Sequence, residues 1–206
     1  MITFVILHYN NLSDTKECIA SIKKLKGRKK IIVVDNHTLN EEESKNLEKE
    51  VNDLLLLEEN LGFAKANNQG ILLAKEKYDA KFVVVINNDI VINQENFIDI
   101  IKEDYKKYQF DMLGGKIISP GDSCNPFPAL ESREVVLKEI AYTRKLIKIY
   151  ENDLLTSLLK MYITLKHVIK KPVKMTNGKY LQEQVPLHGC ALIFSKKYLE
   201  KYKEPF

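Results

Sequence analysis

The sequence predicts an α/β domain built on a mostly parallel, Rossmann-like sheet flanked by helices, with one helical insertion. Three observations carry that prediction. Short apolar runs alternate with helix-period segments through the first 118 residues. The runs at 2–7, 31–34 and 82–86 are apolar at consecutive positions, the habit of strands covered on both faces, as in parallel sheets. Each of these runs, and the shorter one at 54–57, is followed by a polar cluster: His8-Tyr9-Asn10-Asn11, Asp35-Asn36-His37, Glu59-Asn60 and Asn87-Asn88-Asp89. Ligands of open α/β sheets collect outside the carboxyl ends of the strands. Four polar clusters at one sheet end are therefore more than turn chemistry.

The elements follow in order. After the first strand, Ser13 reads as an N-cap, with Leu12 before it and Cys18, Ile22 and Leu25 at helical spacing. Gly27-Arg28-Lys29-Lys30 is a basic turn into the second strand. Asn40 opens an acidic helix, with Glu43 placed for a capping box. Strands are expected at 54–57, 82–86 and 112–118, and helices at 62–77 and 93–108. Crossovers of this length are right-handed. The stretch 120–128, rich in Pro, Gly, Ser and Asn, reads as a loop, and 131–171 as a long helical region dense in Lys and Leu. A loop or hairpin at 172–180 precedes an apolar strand at 187–194, which contains His188-Gly189. Ser195 then caps a last short helix. The expected division is 1–118 as the ligand-binding α/β half and 119–206 as the insertion with the opposing half, within a single domain.

Bulk composition narrows the function. At 206 residues, 45% hydrophobic and 29% charged, the chain is long enough for one substantial core. Its formal charge of +4 is small and its basic residues are spread out, so nucleic acid is not an expected partner. Cys18, Cys124 and Cys190 lie far apart without C-x-x-C spacing, which points away from a disulfide framework and toward a reducing cytoplasm. The N-terminal apolar run is short and has no leading positive charges, so it reads as a strand and not a signal peptide. No stretch reaches the roughly 20 apolar residues that span a bilayer. The basic amphipathic stretch 131–171 either lies on an anionic membrane surface, at the inner face of the cell membrane, or packs on protein with its lysines in water.

The polar clusters carry the chemistry. Asp89 follows a buried strand and is flanked by Asn87 and Asn88. A hard cation such as Mg²⁺ or Mn²⁺ can be held by one or two protein oxygens while phosphate oxygens and water complete its shell. Taken alone, the same tripeptide reads as an Asx turn at a strand end. A carboxylate at Asp35 can accept hydrogen bonds from a base or ribose, and alone it too reads as a turn. In ENLGFAKANNQGI, Gly62 with the small Ala64 and Ala66 permits close approach of a ligand to the start of a helix, where free N–H groups favour anions. Asn67 and Asn68 are poor helix formers placed inside that helix.

Together these pieces resemble the family 2 glycosyltransferases of GT-A fold, in particular a bacterial rhamnosyltransferase-like branch of polysaccharide synthesis. The matching segments are FVILHYNN, IIVVDN, ENLGFAKANNQGI, VVVINNDIVI in the place of the family's D-x-D motif, and PLHGCALIFSKKYLEKY on the acceptor side. The resemblance implies a nucleotide-diphospho-sugar transferase fold and a UDP- or dTDP-linked sugar donor. A saccharide or lipid-linked acceptor, a divalent metal and inverting transfer are implied with it. It implies that Tyr9 and Asn10 line the base and ribose pocket, with Asp35 and Asn36 beside them. Asn60, Gly62, Ala66 and Asn67 would border the nucleotide and sugar. Asn87, Asn88 and Asp89 would face the diphosphate, Asp89 as the principal metal ligand. His188 and Gly189 would lie on the acceptor side. The family's general base, an Asp or Glu in an E-D type motif, is expected beyond Phe206, which leaves His188 as the acid–base group beside that strand. The competing expectation is a non-catalytic nucleotide-sugar-binding or scaffold module without the acceptor base. A Rossmann dehydrogenase is excluded because HYNNLSD stands where G-x-G-x-x-G would follow the first strand. A nucleotidyltransferase would show a glycine-rich basic loop there.

Overall fold

Four apolar runs of the first half form the parallel part of a six-stranded sheet. The computed structural model describes residues 1–38, 40–119, 122–123, 187, 189–202 and 204–206. The helical stretch expected at 131–171, the segment 172–180, most of the loop at 120–128, and His188 lie outside the described residues. The chain divides into two units, Met1–Asn125 with Leu187–Phe206, and Pro126–Pro186. Every described residue belongs to the first.

The elements are β1 Ile2–His8, α1 Leu12–Lys24, β2 Lys29–Asp35, α2 Glu41–Glu48, β3 Asp53–Leu56, α3 Gly62–Tyr78, β4 Phe82–Asn87, α4 Phe97–Tyr108, β5 Met112–Gly114, β6 Ile118–Ser119, β7 Asp122–Ser123, β8 Ala191–Ser195 and α5 Lys196–Lys201. Neighbouring pairs among β3, β2, β1 and β4 are parallel, and β8 is antiparallel to both β4 and β5. Side chains alternate between faces along each strand. Phe4, Ile6, Ile31, Val33, Phe82, Val84, Ile86 and Ile193 meet Cys18, Ile19 and Ile22 of α1, Leu47 of α2, and Ile98 and Ile101 of α4. Val5, Ile32, Val34, Val83, Val85, Leu192 and Phe194 meet Ala66, Ile71 and Ala74 of α3 and Leu199 of α5. Burial on both faces accounts for the uninterrupted apolar runs. Each fully buried Val, Leu, Ile or Phe among them contributes about 1.5–3 kcal/mol relative to an exposed one.

This layering fixes where a ligand can enter. The chain passes β1, β2 and β3 in one direction with α1 and α2 on one face, then returns through α3 on the other face to β4 beside β1. The order reverses between β1 and β4, the switch point at which open α/β sheets bind ligands.

Three local expectations are corrected. The N-cap of α1 is Asn11, whose side chain accepts from Asp14 N at 3.3 Å, and not Ser13. Asn10 turns the chain with φ 56°, so the helix begins earlier than the Ser13 pattern indicates. The helix expected from 93 begins at Phe97, because Ile90 and Ile92 pack against the core and Ile92 N donates to Ser21 Oγ at 3.1 Å. The strand expected at 112–118 stops at Gly114, and Ile118–Ser119 pairs instead with Asp122–Ser123. Asn40 does cap α2, accepting from Glu42 N at 3.1 Å and donating to Glu43 Oε1 at 3.1 Å. Ser195 caps α5 through Tyr198 N.

Gly70 sets the distance between α3 and the sheet. A Cβ there would overlap Val5 Cγ1 and Val34 Cγ2. Ala is the better helix former by about 1 kcal/mol, yet overpacking a tight core costs about 1–3 kcal/mol. Gly70→Ala is therefore expected to lower the urea midpoint at unchanged m-value. A raised midpoint would show that α3 sits more loosely on the sheet than described.

Candidate functional site

Strand register brings the polar clusters into one row. His8 pairs with Asp35, Leu7 with Asn87, and Asp35 with Leu56. The ladder runs one step further through Asn36 N to His8 O at 2.9 Å, Leu57 N to Asp35 O at 3.0 Å, and Asn87 N to Cys190 O at 2.9 Å. Residues 8–11, 35–38, 57–62, 87–89 and 189–190 therefore share the rim at the carboxyl ends of the parallel strands. Asn10 and His37 both have left-handed backbones there, with φ 56° and 67°. This costly conformation is one that Asn and His tolerate better than most residues.

Most rim groups are committed to holding the rim. Asp35 is buried, its Oδ1 accepting from Thr38 N at 2.8 Å and its Oδ2 from Ser44 Oγ at 2.6 Å. Thr38 Oγ1 in turn accepts from Asn10 N at 3.2 Å, which ties the loop after β1 to the loop after β2. Asn36 Oδ1 accepts from Leu61 N at 2.9 Å and its Nδ2 donates to Asn60 Oδ1 at 2.8 Å. Asn60 Oδ1 also accepts from Gly62 N at 2.9 Å. This brace substitutes for a side-chain cap at the start of α3, where Leu61 supplies none and Gly62 has φ 73°. Residues 62–65 of α3 are exposed at the rim.

Ala66 and Asn67, expected to border the ligand, lie in the first turns of α3. Both are fully buried against the sheet, and Asn67 Nδ2 donates back to Phe63 O at 2.9 Å. Asn67 Oδ1 makes no hydrogen bond among the described residues. Asn68 pairs with the peptide of Phe206, donating to its carbonyl at 3.2 Å and accepting from its N–H at 3.3 Å. Tyr9 is half exposed at the rim, and Gly189 is exposed at the entry to β8.

Asp89 stands apart from these braced groups. It is exposed, and its carboxylate makes no hydrogen bond or ion pair among the described residues. The turn that carries it is held firmly: Asn88 Nδ2 donates to Thr15 Oγ1 at 3.1 Å, and Cys18 Sγ donates to Asn87 O at 3.7 Å. Burial, with the Asp89 charge nearby, pushes the Cys18 thiol up to about 12. Among the described residues no group of three or more His, Cys, Asp or Glu converges on a point. One free carboxylate preceded by two carboxamides is instead an oxygen donor set suited to a hard cation that takes its other ligands from phosphate and water.

A cleft of ≈ 380 Å³ opens beside the rim, between α2 (Ser44, Lys45, Glu48) and β3 (Leu54, Leu56), next to Asp35 and His37. Sequence reasoning missed Thr15, Thr38 and Ser44. The available signal was Thr15, a polar residue on the stripe of α1 that carries Cys18 and Ile22.

His8 completes the network. It is fully buried, with Nδ1 2.7 Å from Thr15 Oγ1. Thr15 Oγ1 gives its own proton to Asn11 O at 3.0 Å, so His8 Nδ1 carries the hydrogen of their bond. His8 Nε2 lies 3.8 Å from Glu43 Oε2, and neither atom has a hydrogen bond among the described residues. Burial lowers the His8 pKa, with Asp35 and Glu43 opposing it. A depressed folded pKa gives stability that is present above the ordinary value of 6.5 and is lost as pH falls through the folded value. His8→Asn, which keeps a donor toward Thr15, is expected to flatten the loss of Tm between roughly pH 7 and 5. An equally steep acid limb in that variant would remove His8 from this role.

No curated protein matches the sequence. Among solved structures, S. aureus TarS 1–349 matches at 17% identity with TM-score 0.51, over 64% of this chain and 40% of that one. The same protein in complex with UDP-GlcNAc matches at 18% with TM-score 0.50, over 64% and 38%. Its complex with UDP matches at 18% with TM-score 0.51, over 64% and 39%. The matched region thus spans about two-fifths of the TarS 1–349 chain. At this identity the likeness shows the fold, the mixed six-stranded GT-A sheet with flanking helices. The family model for glycosyl transferase family 2 matches residues 3–202, nearly the whole length, and the chain belongs to that family.

Proposed function

We propose that this chain binds a nucleotide-diphosphate sugar across the β1–β4 switch point and transfers the sugar to a saccharide or lipid-linked acceptor. The observation that carries the reading is Asp89: an exposed carboxylate on a pinned turn, without a hydrogen bond or ion pair among the described residues, at the switch point between β1 and β4, whereas the buried Asp35 of the same rim is already satisfied. UDP and UDP-GlcNAc are the ligands of the TarS complexes, which favours a uridine donor over a dTDP-linked one.

In this reading the base and ribose lie over Tyr9, Asn10 and the Asp35-Asn36-His37 loop, with the diphosphate toward Asn87, Asn88 and Asp89. Asn60 and Gly62 close the sugar side, and their positions are fixed by Asn36. Ala66 and Asn67 support α3 from beneath. Asp89, with the Asn87 carboxamide beside it, would hold Mg²⁺ or Mn²⁺, which when bound supplies charge neutralisation for the departing diphosphate. A single carboxylate leaves such an ion weakly held until diphosphate oxygens complete its shell. Nucleotide and metal are then mutually dependent ligands. Gly189 faces the acceptor side. Inverting displacement needs a base at the attacking hydroxyl, and no described residue is assigned that role.

A thermal-shift series tests the reading. At 100 times its dissociation constant, a bound nucleotide adds about 2.7 kcal/mol of stability. UDP or a UDP-sugar with Mn²⁺ is expected to stabilise the wild type more than either alone, and Asp89→Asn to lose the metal-dependent part. Equal stabilisation of Asp89→Asn and wild type would take Asp89 out of the site.

A further inference from the structure

We propose that Thr15 is the positioning residue for the Asp89 carboxylate, acting through the Asn87–Asn88–Asp89 turn. The proposal rests on the donor-site reading above and names a residue outside the binding clusters.

Helix α1 turns a polar ladder, and not only an apolar stripe, toward the segment that leaves β4. Thr15, Cys18 and Ser21 follow at three-residue spacing, so they lie on one helix face, and all three are buried. Each meets a successive part of the β4 exit. Thr15 Oγ1 accepts from Asn88 Nδ2 at 3.1 Å, Cys18 Sγ donates to Asn87 O at 3.7 Å, and Ser21 Oγ accepts from Ile92 N at 3.1 Å. From the other side Cys190 O accepts from Asn87 N at 2.9 Å. Asp89 is the one polar residue of this turn whose side chain is exposed and unbonded, while its neighbours are anchored.

Thr15 is the strongest of these anchors. Its hydroxyl donates to Asn11 O at 3.0 Å and accepts from both His8 and Asn88, so its hydrogen and both lone pairs are used. It thereby joins the end of β1, the first turn of α1 and the end of β4, the three elements around the switch point. A carboxylate that must meet a cation within tenths of an ångström gains affinity when its backbone is held before binding. Removing the hydroxyl frees the Asn88 side chain and lets the Asp89 turn move. It also leaves the buried His8 Nδ1–H unpaired, a cost in stability that is separable from positioning.

The test compares UDP dissociation constants in Mn²⁺ and in EDTA, taking their ratio as the metal-dependent gain. Thr15→Val, nearly the same shape without the hydroxyl, is expected to reduce that ratio about tenfold from the wild-type value. Thr15→Ser is expected to restore it, although the buried methyl lost in Ser still lowers the urea midpoint. Asn88→Leu removes the same bond from the other end without touching α1 and is expected to reduce the ratio similarly, which covers a Thr15→Val chain that does not fold. A wild-type ratio retained in Thr15→Val or in Asn88→Leu overturns the proposal. A ratio of one in the wild type itself defeats the donor-site reading beneath it, and the positioning role with it.

Discussion

Two neighbouring strands buried on both faces leave their polar ends in the same place. β1 and β4 lie side by side in parallel, and Phe4, Val5, Ile6, Val83, Val84, Val85 and Ile86 are almost wholly withdrawn from water. A polar side chain buried along such strands is costly unless it is hydrogen-bonded, and Thr3 of β1 is an exception, buried with no partner for its Oγ1 among the described residues. The polar residues therefore gather where the strands stop, and the parallel register makes them stop together. Because the chain order reverses between these two strands, their crossover helices leave on opposite faces of the sheet, which is where a crevice opens in such folds. The rim is thus a consequence of core packing, before any chemistry is considered.

Hydrogen bonding then divides the rim into scaffold and reactive surface. Asp35, Asn36, Thr38, Ser44 and Asn60 bond to one another and to backbone N–H groups. A buried carboxylate satisfied in this way stabilises the loop that contains His37. Each of its oxygens keeps a second lone pair, so a ligand contact at Asp35 would add to those bonds without replacing them. Asp89 follows the opposite logic, being charged, solvated and unpartnered on a backbone that is fixed. It is suited to an interaction that forms only when a cation arrives with its own anionic ligands. Burial is the main cause of the raised Cys18 thiol pKa, and the nearby Asp89 charge adds to it.

What could be read from the sequence depended on range. Consecutive apolar residues at 83–86 announced a doubly covered strand, and Asn40 with Glu43 announced a helix start, because both signals are local. The α1 cap was missed by two residues, since Ser13 is a good capping residue in isolation and only the Asn10 turn gives Asn11 precedence. The Thr15–Asn88 and Asn36–Asn60 bonds join residues 73 and 24 positions apart, and no local pattern encodes them. Asn67 and Asn68 are poor helix formers inside a helix, and local pattern does not give the reason: one bonds its own helix, the other the peptide of Phe206. β8 reaches the sheet from far along the chain and runs opposite to its neighbours, a direction that a run of apolar residues does not specify.

Every role assigned to the rim depends on where the nucleotide binds. Paramagnetic broadening of backbone amide signals by Mn²⁺, with UDP present, reads that location directly. Signals from residues 8–11, 35–38 and 87–89 are expected to vanish first, while those of Lys29, Lys81 and Ser195 at the opposite end of the sheet persist. Broadening centred on the cleft between α2 and β3, or spread evenly over the surface lysines and acids, would contradict binding at the rim.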